Sequence, residues 1–235
     1  MKSNPPFHGY PDRSSLLEAL SARIVQLLEQ AIETRGAATL AVSGGNTPKP
    51  LFERLSRAAL PWERVTVTLV DERWVDPASE ASNEYLVRTT LLQGRASKAA
   101  FVGLKTEDIT PEAGSAACEA HLQALAKPLD LVLLGMGSDG HTASLFPRTP
   151  ELAPLLKGER LCGAAHPLDA PHARMTMSLK MLLDARLLLL HIEGESKYEV
   201  YRRALSGSDI GEMPIRALLR QGRAPLEVYY AKEPQ

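Results

Sequence analysis

Cysteine is scarce in this chain of 235 residues. Only Cys118 and Cys162 occur, far apart and in no metal-ligand spacing, which excludes a disulfide framework and fits a reducing compartment. An excess of one charge is also missing. Lys and Arg total 27 against 28 Asp and Glu, a formal net charge of −1. A nucleic-acid binder relying on counterion release needs a more basic chain, so an anionic ligand would have to meet a local cluster of cations. Long apolar runs are absent too: Leu187 to Leu190 is strand length and cannot span a membrane. The opening MKSNPPFHGYPDR lacks the apolar stretch of a signal peptide. No internal repeat, low-complexity tract or long linker interrupts the chain.

What is present reads as a soluble globular protein, with 44% apolar and 23% charged residues. A chain this long buries roughly 70–75% of its unfolded surface and needs no metal or disulfide to fold. The expectation is one cytoplasmic domain over residues 1–235, with residues 1–13 as a flexible N-terminal arm.

Along the chain, helical and strand periodicities alternate. Leu16, Leu17, Leu20, Ile24, Leu27, Leu28 and Ala31 recur at helical spacing, predicting a helix from Ser15 to Arg35 with a Ser15–Glu18 capping box and a stop at Gly36. Thr39 to Val42 then reads as a strand, followed by a second helix toward Leu60. Further strands are expected at Val65 to Val70, Phe101 to Leu104, Leu129 to Leu134, Met175 to Ser178, Leu187 to Ile192 and Leu226 to Ala231. Helices are expected at Asn83 to Leu92, Glu112 to Leu125 and Lys197 to Leu205. The alternation implies an α/β fold, a Rossmann-like, mostly parallel sheet with helices on both faces.

In such sheets ligands bind beyond the carboxyl ends of the strands. Four polar clusters fall there: Ser43 to Thr47, Asp71 to Arg73, Gly135 to His141, and Glu193 to Lys197. Ser43-Gly44-Gly45-Asn46-Thr47-Pro48 suits either a phosphate cradle or a plain turn with a Thr cap and Pro at the first helical position. It lacks the Gly-Lys-Ser/Thr ending of a Walker A loop. Gly135, Gly137 and Gly140 match G-x-G-x-x-G, but Pro147 cuts the segment short and no acidic residue ends the next strand, which argues against a dinucleotide site. Met136 breaks the G-x-S-x-G elbow of serine hydrolases around Ser138.

Asp139 stands two residues before His141, and a carboxylate there can hold the imidazole in one tautomer, as a general base requires. His8, His121 and His191 read as structural. His166 and His172, with Cys162, have no zinc-ligand spacing. Arg73, Arg174 and Lys197 sit at strand–loop junctions and are candidate anion clamps, Arg through a bidentate fork and Lys as a point charge.

Together these segments resemble the 6-phosphogluconolactonase family. The motifs that carry the resemblance are Leu40 to Pro48, Asp71-Glu72-Arg73-Trp74-Val75, Ser82-Asn83-Glu84, Gly135 to Pro147, Pro171 to Thr176 and Gly194-Glu195-Ser196-Lys197, in order and spacing from about Ser14 to Tyr230. Asn46 and Met175 replace a commoner serine and isoleucine. The resemblance implies a fold shared with glucosamine-6-phosphate deaminases. It also implies hydrolysis of 6-phospho-D-glucono-1,5-lactone to 6-phospho-D-gluconate in the oxidative pentose phosphate pathway, without metal or coenzyme. By position, His141 would be the general base and Asp139 its orienting group. Ser43, Gly44, Gly45, Asn46, Thr47, Asp71, Arg73, Arg174 and Lys197 would hold the sugar phosphate. The expected partner is the small-molecule lactone alone, with no nucleic acid and no membrane, and the chain a monomer or small homo-oligomer.

Two rivals are weighed against this. The deaminases carry a glutamate before the proline of their Asp-Gly-His segment, where this chain has Phe146, and Asp-Glu-Tyr where it has Asp71-Glu72-Arg73. A non-catalytic sugar-phosphate sensor would be expected to lose the base, yet Asp139 and His141 are both present.

Overall fold

The structure is a computed structural model and describes residues 4–232. Its chain runs β1 (Phe7–Tyr10), α1 (Arg13–Arg35), β2 (Ala38–Val42), α2 (Lys49–Leu55), β3 (Val65–Leu69) and β4 (Asp71–Arg73). There follow α3 (Asn83–Thr90), β5 (Ala100–Val102), α4 (Pro111–Ala124), β6 (Leu131–Leu134), α5 (Leu152–Lys157), β7 (Cys162–Ala165) and β8 (Arg174–Met177). The last elements are α6 (Leu179–Leu182), β9 (Leu188–Glu193), α7 (Glu195–Ser206), α8 (Ile215–Leu219) and β10 (Leu226–Ala231).

Seven strands form one sheet in the order β1-β10-β9-β6-β2-β3-β5, and every pairing in it is parallel. Its central strands are apolar on both sides: every residue of β2, β6 and β9 is buried. That composition demands cover on both faces. On one face α1 lies against the sheet, where Arg13 pairs with Glu193 and Arg23 with Glu227. On the other, Phe7 and Tyr230 meet Tyr198 of α7. Glu227 and Tyr230 differ by an odd number of positions along β10, so the two helices sit on opposite faces.

Four expectations change. The arm expected over residues 1–13 is a strand from Phe7 onward, since β1 extends the sheet against β10 and the Phe7 ring packs against Tyr198, Tyr201 and Tyr230 at 5.5–5.8 Å; residues 1–3 lie outside the described residues. The first helix starts at Arg13, because its N-cap is Asp12 and not Ser15: the Asp12 carboxylate accepts from the Ser15 N–H at 2.8 Å. Gly36 closes that helix in a left-handed turn, as expected. The strand expected at Met175 to Ser178 belongs to a second, three-stranded antiparallel sheet, β4-β8-β7. The second helix also stops at Leu55, short of Leu60, and its cap position is Pro48 with no side-chain capping bond from Thr47.

The small sheet hangs from the large one where Val70 accepts from the Met177 N–H while donating to Val42. It therefore places Asp71 and Arg73 directly beyond the carboxyl end of β3. One continuous hydrophobic core runs through all these elements. No helix among the described residues is long and apolar enough to cross a membrane.

Candidate active site

Beyond the carboxyl ends of β2, β6 and β9 lies a cavity of about 300 Å³, at the lower end of small-molecule sites. All four polar clusters reach it. Ser43, Gly44, Gly45 and Thr47 form one wall, Asp71 and Arg73 a second, Gly137 and His141 a third, and Lys197 approaches from the first turn of α7. A larger groove elsewhere, of about 860 Å³, is lined by residues such as Leu152, Leu156 and Ile210 and contains no histidine.

The turn after β6 sets the histidine. Asp139 Oδ1 accepts from the backbone N–H of His141 at 3.0 Å and sits 2.6 Å from its Nδ1. An ionised carboxylate can only accept, so Nδ1 carries the hydrogen and, in the neutral ring, Nε2 keeps the lone pair. Burial pushes the Asp139 carboxyl up, but the hydrogen bonds and charge of His141 outweigh it and hold the group below its ordinary value. Only glycine fits at 137, where a Cβ would lie 2.2 Å from His141 Nδ1 and 2.6 Å from Asp139 Oδ1. The imidazole rests against Phe146, with ring centroids 4.9 Å apart.

The opposite wall depends on Glu72, a residue with only 1% of its surface exposed. Its carboxylate accepts from the backbone N–H groups of Arg73, Asn83 and Glu84 and from Ser82 Oγ, at 2.7–3.0 Å. Burial pushes this carboxyl up while the four donors oppose the shift. The result ties β4 to the start of α3. Asn83 is thereby locked, its Nδ2 donating to the Asp71 carbonyl at 2.8 Å. Gly44 lies directly on the Asn83 amide, since a Cβ there would stand 1.9 Å from Oδ1. The Asp71 carboxylate accepts from the fully buried Ser144 Oγ at 2.6 Å.

Among the described residues, the backbone N–H groups of Gly44, Gly45, Asn46 and Thr47 have no acceptor within the chain. Those of Gly44, Gly45 and Thr47, with the side chains of Arg73 and Lys197, are donors at the cavity. Arg73 gives one N–H to the Ala81 carbonyl at 2.8 Å. Lys197 is half-buried, and burial lowers its pKa while Asp139 counteracts.

Two expected residues stand apart. Asn46 is exposed on the outside of its turn and does not line the cavity. Arg174 is directly opposite Arg73 in the β4–β8 ladder, yet its Nη1 donates to the carbonyls of Pro171 and His172 at 2.7 and 2.8 Å, and it too is absent from the wall. Burial, then the Arg73 charge, lowers its pKa. Residues that sequence reasoning left aside also line the cavity, chiefly Asn83, Met136, Ala143 and His191. Ala143 holds a left-handed φ of 48°, a conformation rare outside glycine and found at functional turns. The candidate zinc set does not assemble: Cys162 Sγ faces the Ser115 carbonyl, His166 pairs with Glu151, and His172 lies on the separate turn before β8.

Comparison with known proteins finds relatives along nearly the whole chain. The family model described as "Glucosamine-6-phosphate isomerases/6-phosphogluconolactonase" matches residues 11–226. A 6-phosphogluconolactonase of Rhizobium meliloti is 45% identical over 226 residues, covering 95% of this chain and 97% of its own. One from Mesorhizobium japonicum is 43% identical over 227 residues, covering 96% and 94%. The crystal structure of a 6-phosphogluconolactonase from Shewanella baltica superposes with a TM-score of 0.95 at 45% identity, covering 97% of each chain.

Proposed function

Because the chain belongs to the glucosamine-6-phosphate isomerase and 6-phosphogluconolactonase family, we propose that its cavity hydrolyses 6-phospho-D-glucono-1,5-lactone to 6-phospho-D-gluconate. The observation that carries the reading is the Asp139–His141 couple set into the same wall system as the backbone N–H groups of Gly44, Gly45 and Thr47 and two cations.

The chemistry follows from that arrangement. His141 Nε2 takes a proton from water as the water oxygen attacks the lactone carbonyl carbon. The carbonyl electrons move onto its oxygen, giving a tetrahedral oxyanion. When that intermediate collapses, the bond from carbon to ring oxygen breaks, and the imidazolium returns the proton to the departing ring oxygen. Ionised Asp139 stabilises the imidazolium between the two transfers. A δ-lactone carbonyl is already reactive, so a positioned base worth roughly 10²–10⁴-fold is adequate. The amides of Gly44, Gly45 and Thr47, with Arg73 and Lys197, supply donors for the phosphate and the oxyanion, and phosphate anchoring holds the carbonyl carbon against His141.

Deaminase chemistry is disfavoured by a specific contact. The side chain that precedes Pro147 and packs on the His141 ring is Phe146, which cannot transfer a proton. We read residues 1–235 as one cytoplasmic catalytic domain, a monomer or small homo-oligomer, that takes no nucleic acid or membrane as partner.

The test uses freshly generated 6-phosphogluconolactone and its dephosphorylated counterpart, with spontaneous hydrolysis subtracted. The protein should accelerate the phosphorylated lactone. Lys197→Ala should raise KM for that substrate by about 10-fold or more, with little effect on the dephosphorylated one. Hydrolysis no faster than background would contradict the proposal.

A further inference from the structure

The cavity wall contains a second histidine that the proposed reaction does not use. His191 and Glu193 lie two apart on β9 and so share the face covered by α1. His191 Nε2 is 2.9 Å from Glu193 Oε1, and Glu193 Oε2 is 2.6 Å from Arg13 Nε at the start of α1. His191 is 3% exposed and Glu193 9%. Burial pushes the Glu193 carboxyl up, but the bonds and charges of His191 and Arg13 bring it below its ordinary value. It is therefore ionised, can only accept, and fixes the hydrogen on Nε2.

In the neutral ring that leaves Nδ1 as a bare acceptor. It is buried and has no hydrogen-bond partner, a condition that costs free energy unless a ligand or water completes it. Beside it the structure leaves room. The β6–β9 register pairs Leu134 with Leu190, so the next step sets Gly135 alongside His191, and nothing stands within 4 Å of the place a Cβ would occupy on Gly135. Both residues line the cavity. An unpartnered acceptor and a missing side chain on the neighbouring residue suit one ligand chemistry, a hydroxyl group that donates.

We propose that His191 is a specificity-determining residue whose Nδ1 accepts a hydrogen bond from a ring-carbon hydroxyl of the sugar phosphate, with Glu193 and Arg13 as positioning residues that hold its tautomer. This rests on the functional reading above. The geometry differs from that at His141 in kind: His191 presents its lone pair from a rigid strand, deep in the wall, and moves no proton.

The test uses the full chain labelled with ¹⁵N-histidine and saturating 6-phosphogluconate. His191 Nδ1, assigned by loss of its signal in His191→Gln, should be unprotonated in the free protein and shift on ligand addition as it accepts a hydrogen bond. Gln retains a donor toward Glu193 and removes the Nδ1 acceptor. His191→Gln should raise KM for the lactone about 10-fold with kcat within about 3-fold. Among 2-, 3- and 4-deoxy-6-phosphogluconates, one should bind the wild type about 10-fold more weakly than the parent compound, and the variant should lose that discrimination. A purely structural role would lower stability without changing the ranking of the deoxy compounds. A wild type that binds 6-phosphogluconate with Nδ1 unmoved, or discriminates equally before and after the substitution, overturns this inference alone. A wild type that neither binds 6-phosphogluconate nor hydrolyses the lactone overturns the functional reading and this inference with it.

Discussion

Two histidine–carboxylate pairs face one cavity, and they are built in opposite ways. Asp139–His141 lies in a turn, with 44% and 31% of the side chains exposed; Glu193–His191 lies in a central strand, with 4% and 2% exposed. In the first the carboxylate binds Nδ1 and frees Nε2, the ring's outer nitrogen. In the second it binds Nε2 and leaves Nδ1, the nitrogen nearest the backbone. The first arrangement suits transfer of a proton to and from water, which must enter and leave. The second suits recognition, because a bare acceptor fixed in a rigid wall rewards one donor geometry and no other. A histidine and a carboxylate two positions apart thus serve different chemistry because local structure decides which nitrogen is spare.

Substitutions can break this contrast from either side. The largest effect is expected at Asp139→Asn: its amide can donate to Nδ1, favouring the tautomer with hydrogen on Nε2, and kcat should fall about 100-fold or more. Steady-state kinetics checks this, and wild-type kcat would show that the turn carboxylate does not orient the base. Gly137→Ala forces a Cβ to 2.2 Å from His141 Nδ1 and should lower kcat by about 30-fold through misplacement of the ring. Binding of 6-phosphogluconate, measured by calorimetry, should change far less.

On the strand side, Glu193→Gln should act on stability more than on turnover, costing about 2 kcal/mol through the bonds to Arg13 and His191. Its pH signature has a definite sign. Glu193 is held below its ordinary 4.5, so its contribution is complete above that pH and is lost as pH falls through the lower folded-state value. Denaturant titrations below pH 4.5 should show wild type losing more stability than Glu193→Gln; parallel curves would contradict the ionised pair. The smallest effect is expected at Asp12→Ala. Loss of the α1 cap should cost about 1 kcal/mol and leave kcat unchanged, even though Arg13 follows it directly.

Much of this was legible in the sequence, for identifiable reasons. β2, β3, β6, β9 and β10 announce themselves by apolar runs at the spacing of a parallel sheet, and α1 by its stripe from Leu16 to Ala31. The polar clusters at their ends mark the cavity because strand ends in such sheets converge there. β1, β4 and β7 are three or four residues long and carry no periodicity, so their pairing depends on partners distant in the chain. Arg174 could be read as a cation at a strand–loop junction, but its pairing opposite Arg73 and the loop carbonyls that engage its guanidinium could not. His191 was hidden for a different reason. Inside Leu188 to Ile192 it has the signature of a core residue, and only the register beside Gly135 and the direction of Glu193 show that its inner nitrogen is without a partner. A histidine two residues before a glutamate in an apolar strand, opposite a glycine on the neighbouring strand, is the signal that could have found it.

The account depends most on His141. Initial rates of lactone hydrolysis, followed by acid release in a pH-stat, should fall by at least about 100-fold in His141→Ala. Its affinity for 6-phosphogluconate should stay within about threefold of wild type. A His141→Ala protein that hydrolyses the lactone at the wild-type rate would contradict the assignment of that imidazole as the base.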